Sequence, residues 1–143
     1  MKKLLINTQG IIQILVGVSA AVSGLMLMFS PSGSLLQAPL EMLKESPFND
    51  FLVPGFILFA VNGVGQLVAA YLTLRRKRAA ALTGAVFGLG LMIWIFVQVT
   101  MIGGGHILQN SYFFIGVAET ALAFLIAVFG SDAERSIAAG NAG

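Results

Sequence analysis

The chain has 143 residues, 57% of them apolar and only 10% charged, with a mean hydropathy of +0.92. Soluble domains carry about 25% charged residues, so this composition belongs in a membrane, and at about 20 residues per crossing the length admits four helices and no soluble catalytic domain. With no cysteine and one histidine, disulfides, thiolate metal centres and multi-histidine haem or zinc sites have no ligands to build on, and the formal charge of +2 takes its meaning from where the charges lie.

Four apolar runs, at about residues 11–29, 51–74, 79–102 and 112–130, are each long enough to cross about 30 Å of hydrocarbon as a helix. They are apolar all round rather than alternating, which excludes barrel strands. The expected fold is all-α: a single membrane domain over residues 1–143, built as a four-transmembrane-helix bundle with a short interfacial helix in its first outer loop and a short cytoplasmic tail at 131–143.

In the first run, Lys2 and Lys3 followed by apolar residues and the small set Val18-Ser19-Ala20-Ala21 also fit a secretory signal peptide. The polar stretch Asn7-Thr8-Gln9-Gly10 and an apolar run continuing to Phe29 favour a retained helix instead. In the loop after it, Pro39 suits the first turn of a short helix running to Glu45, with Leu36, Leu40 and Leu43 on one side, lying on the membrane surface. Ser46-Pro47 stops that helix, and Asn49 or Asp50 offers an oxygen to the free amides that begin the second crossing. Pro54 is tolerated in that first turn, so residues 46–55 read as a rigid corner.

The turn Gly103-Gly104-Gly105-His106 reads as flexible, its histidine solvated rather than metal-binding. After Gly130, the capping-box spacing of Ser131 and Glu134 predicts a separate short helix to about Ala139. Seven of the eight basic residues (Lys2, Lys3, Arg75, Arg76, Lys77, Arg78 and Arg135) fall on one side of this topology. The positive-inside rule puts that side, with both termini, in the cytoplasm, and makes the basic turn a topology anchor on anionic lipid rather than a nucleic-acid patch.

Glu119 is the only ionisable side chain deep in an apolar run, and a charge there costs at least about 2.5 kcal/mol, so it should face the bundle and be paired or protonated. Counting 1.5 Å per residue from Tyr112 puts it about 10 Å deep, bracketed by Gln98 and Asn62 as expected partners. Gln66 and Gln13 form a second polar layer below, while Tyr112 stands above the carboxylate and Trp94 walls the same space or faces lipid. These seven residues, Glu119, Gln98, Asn62, Gln66, Tyr112, Trp94 and Gln13, are the candidate ligand-binding or polar-core set; no metal ligands or cofactors are expected among them, and no catalytic role is assigned. Gly84 and Gly88 make a Gly-x-x-x-Gly that serves packing within the bundle or a homo-oligomer contact.

The corner Pro47-Phe48-Asn49-Asp50-Phe51-Leu52-Val53-Pro54-Gly55, the Gly-rich second helix and the turn Arg75 to Arg78 resemble small four-helix bacterial membrane proteins of unknown function and, more distantly, DoxX-like proteins. That resemblance runs from Pro47 to about Gln98, implies a compact inner-membrane bundle and carries over no catalytic residue. Two function classes are expected. One is a binding or accessory protein that holds a lipid, quinone or other apolar ligand near Glu119, or serves as a subunit of a larger membrane complex. The other is a small membrane enzyme or proton-linked carrier with Glu119 as acid or base.

Overall fold

The computed structural model describes residues 1–142, with side chains for all of these except residues 131–135. Four helices are long and apolar enough to cross a membrane: α1 (Lys2–Phe29), α2 (Leu52–Leu74), α3 (Ala80–Ile102) and α4 (Ile107–Asn141, whose apolar part is Ile107–Gly130). The molecule is an all-helical, multi-pass membrane protein. Its outer surface is a coat of Leu15, Val22, Ile93, Phe96, Phe114 and Phe124, all exposed, as expected where lipid tails rather than water surround the bundle.

Lipid is as apolar as leucine, so burial of apolar area does not hold such helices together and close backbone approach must contribute instead. α1 packs along α2, and α3 along α4, which makes the bundle a pair of hairpins. In the first, a Cβ added at Gly24 would lie 2.6 Å from the Phe59 amide nitrogen, and one at Gly63 2.8 Å from the Ala21 Cα. In the second, Gly84 and Gly88 are buried against α4: a Cβ at Gly88 would lie 2.6 Å from Thr120 Oγ1 and 3.0 Å from the Gly116 carbonyl. This Gly-x-x-x-Gly therefore serves packing within its own chain.

The corner into α2 is knitted as its residue types dictate. Ser46 Oγ donates to the Leu43 carbonyl (2.8 Å) and accepts from the Phe48 amide (3.2 Å); the Leu52 amide donates to Asp50 Oδ1 (3.0 Å), and the Phe51 amide to the Pro31 carbonyl (2.9 Å). In place of one helix from Pro39 to Glu45, the loop carries two single 3-10 turns, Ser34–Leu36 and Leu40–Leu43. Leu43 turns inward rather than onto the membrane surface, clustering with Leu27 and Phe51 to close that end of the bundle.

Three boundaries differ from the sequence reading. α1 begins at Lys2, absorbing the polar stretch at residues 7–10, because Gln9 and Gly10 face inward instead of meeting lipid. α4 begins at Ile107, five residues before Tyr112, with Gln109 Nε2 donating back to the Gly103 carbonyl (3.3 Å) and tying down the glycine turn. At its other end α4 runs unbroken to Asn141, so there is no separate helix after Gly130; the side chains of Ser131 and Glu134 lie outside the described residues.

Candidate functional site

The most deeply buried large side chains of this bundle are mostly polar. Among the large side chains wholly shielded from solvent, Gln9, Gln13, Asn62, Gln66, Thr73 and Glu119 stand beside a single apolar residue, Leu91. Their positions obey helical spacing: Gln9 and Gln13 are one turn apart on α1, and Asn62, Gln66 and Thr73 line one stripe of α2 at intervals of four and seven. Interhelical bonds from such groups contribute about 0.6 kcal/mol each, enough to specify which helices face one another.

One bond anchors this set across the two hairpins. Gln66 Nε2 on α2 donates to Glu119 Oε2 on α4 at 2.7 Å, and both side chains are fully buried. Glu119 thus faces the interior, but its hydrogen-bond partner is Gln66 rather than the expected Asn62 or Gln98. The physical reason is register. Counted from Ile107 instead of Tyr112, Glu119 lies about 18 Å into its helix rather than about 10 Å, at a level between Asn62 and Gln66. Residues Leu58–Gly65 of α2 are π-helical, yet Asn62 and Gln66 both stay buried, so depth rather than facing selects between them. Glu119 therefore belongs with the deeper layer. Gly84 marks the level just below it, where an added Cβ would lie 2.7 Å from Gln9 Nε2, 3.1 Å from Ala123 and 3.5 Å from Gln13 Nε2.

Asn62, Trp94, Gln98 and Tyr112 gather elsewhere, toward the end closed by the Ser30–Asp50 loop. There they line a cavity of about 270 Å³, walled otherwise mainly by apolar side chains including Val16, Leu27, Met42, Leu58 and Leu91. Tyr112 donates its phenol to Ser19 Oγ on α1 at 2.9 Å, a second bond between hairpins. Two buried nitrogens on this cavity's lining residues, Asn62 Nδ2 and Trp94 Nε1, have no hydrogen-bond partner within the described residues. In the deeper layer the same holds for Gln66 Oε1, Glu119 Oε1 and both amide atoms of Gln9 and of Gln13.

The sequence reading missed Gln9 and Thr73, both fully buried, and Ser19 as the partner of Tyr112. Gln9 was legible, since it precedes Gln13 by four; Thr73 was masked by its nearness to the basic turn. Among the described residues, no group of three histidine, aspartate or glutamate side chains is placed to hold a metal ion. His106 is exposed in the turn before α4. Compared with protein-family models, curated proteins and solved structures, the chain matches none.

Proposed function

We propose that this protein is an inner-membrane binding protein that holds a neutral apolar molecule, tipped by an acceptor oxygen such as the carbonyl of a quinone or of a lipid ester, in the cavity beneath the loop. The observation that carries this reading is that Asn62 and Trp94, whose buried nitrogens Nδ2 and Nε1 have no hydrogen-bond partner within the described residues, both line a mainly apolar space. An indole nitrogen can only donate, and leaving it unpaired costs about 1–3 kcal/mol, a cost that a ligand acceptor removes. At about 270 Å³ the space is near the lower end of ligand pockets, about 300–1,000 Å³, and suits one ring or the head of a longer chain whose tail leaves between helices.

Trp94 is the chain's only tryptophan and so reports on its own site. Titrating a short-chain quinone into the detergent-solubilised protein is expected to quench Trp94 fluorescence saturably. Asn62→Leu should weaken the apparent affinity about two- to thirteenfold, the worth of one neutral hydrogen bond of about 0.5–1.5 kcal/mol. Quenching that rises linearly without saturation, unchanged by Asn62→Leu, would mean partition into the micelle and would refute the site.

The second reading, an enzyme or proton-linked carrier using Glu119 as acid or base, draws on a different observation: Glu119 Oε1 and its neighbour's Gln66 Oε1 both lack a donor within the described residues. A carboxyl that carries a proton can donate as well as accept, which a purely structural acceptor need not do.

The orientation we propose, with both termini cytoplasmic, rests on the basic-residue asymmetry. The chain has no native cysteine, and Ser34 and Ser136 are both exposed at opposite ends of the bundle. A membrane-impermeant thiol reagent applied to intact cells is expected to label Ser34→Cys and spare Ser136→Cys; the reverse pattern would invert the protein.

A further inference from the structure

At the end of the bundle that carries both termini, a second cavity of about 730 Å³ opens between the start of α1, the α2–α3 turn and α4. Five cationic side chains line it: Lys2, Lys3, Arg76, Lys77 and Arg78. Among the described residues its remaining wall is largely apolar, formed by Ile6, Ala80, Ile126 and Ile137 among others, with one polar side chain, Thr73, fully buried and its hydroxyl without a hydrogen-bond partner within the described residues.

The basic run at residues 75–78 would be a plain topology anchor if its four side chains behaved alike. They do not. Arg75 lies over the ring of Tyr71, 5.7 Å from its centroid, and takes no part in the cavity, whereas the next three residues all line it. Arg76 is held with φ at +51°, a left-handed backbone that a non-glycine residue adopts at a cost, stabilised here by its amide donating to the Thr73 carbonyl at 3.0 Å. The cavity also receives the first turn of α1. Lys2 and Lys3 occupy the positive end of that helix dipole, with no acidic residue in the turn to offset them. Cations, a helix N-terminus and a hydroxyl without a partner among the described residues are three kinds of group that recognise one chemistry, a phosphate; the apolar wall between α1, α3 and α4 accepts an acyl chain beside it.

We infer that this cavity binds the phosphate headgroup of an anionic phospholipid, seated on Arg76, Lys77 and Arg78 with Lys2 and Lys3 closing over it and one acyl chain against Ile126 and Ile137. Free phosphate shares the headgroup chemistry but leaves the apolar wall uncovered, so the lipid is the occupant that uses the whole site.

Native mass spectrometry of the detergent-released protein, with phosphatidylglycerol added against phosphatidylcholine, is the direct test. Phosphatidylglycerol is expected to remain bound in a one-to-one adduct, and Arg76→Gln/Arg78→Gln to weaken it tenfold or more. Arg75→Gln should change it less than twofold, and Thr73→Val, which keeps the shape and removes the hydroxyl, should weaken it about threefold. Equal losses from Arg75→Gln and from the double variant would mean unspecific attraction to a basic surface and would overturn the site. Displacement of phosphatidylglycerol by millimolar inorganic phosphate, at ionic strength matched with chloride, would overturn the lipid as its occupant. If the double variant fails to fold, Thr73→Val against Arg75→Gln decides the matter alone.

Discussion

Replacing Gly88 by leucine is expected to lower the stability of the bundle by about 3 kcal/mol or more, the upper range for forcing extra volume into a packed interior. A Cβ there would stand 2.6 Å from Thr120 Oγ1 and 3.0 Å from two backbone atoms of α4, and backbone cannot rotate aside as a side-chain tip can. The same change at Gly90, two residues along the same helix, meets nothing within 4 Å and should leave the melting temperature in detergent within error of the parent. Equal melting of Gly88→Leu and Gly90→Leu would show that α3 presents a different face to α4.

Truncating Glu119 to alanine should cost about 1–3 kcal/mol, because it leaves the Gln66 amide buried without its acceptor, and more for the space left behind. Glu119→Gln keeps a carbonyl oxygen for Gln66 Nε2 and should restore most of that loss. The pair of variants separates the two readings of this carboxyl. If it serves only to join α2 to α4, Glu119→Gln melts as the parent does and retains the same quinone quenching and co-purifying molecules. If it moves a proton, Glu119→Gln folds normally but loses proton-coupled uptake in reconstituted vesicles. A Glu119→Ala protein as stable as the parent would remove the Gln66–Glu119 bond from the contacts that hold the bundle.

Hydropathy made the four crossings legible, because a run of about 20 apolar residues has few other uses. Even the corner at Asp50 was readable, since a carboxylate two residues before a helix has a specific backbone donor to satisfy. Facing was also readable wherever i, i+4 spacing applies, as for Gly84 with Gly88 and Asn62 with Gln66. Depth was not. Polar residues at the start of α1 and α4 looked like the edges of the membrane, yet both helices begin earlier because Gln9 and Gln109 turn into the bundle, where neither lipid nor bulk water reaches them. The π-helical stretch of α2 was equally hidden, since nothing in Leu58-Phe59-Ala60-Val61-Asn62-Gly63-Val64-Gly65 announces an i→i+5 pattern over an i→i+4 one.

The division of contacts between glycine and glutamine has a mechanical consequence. Within each hairpin the backbones touch, leaving no slack for sliding: Gly24 and Gly63 lock the first, Gly88 and Gly116 the second. Between hairpins, Gln66 bonds to Glu119 and Tyr112 to Ser19, side-chain contacts that can each break and re-form with another acceptor. The molecule therefore has two stiff halves and one soft plane, and that plane runs through the cavity beneath the loop. Whatever enters between the halves from the lipid meets side chains that can exchange hydrogen-bond partners, beside the buried apolar residues Val16, Leu91 and Ile95.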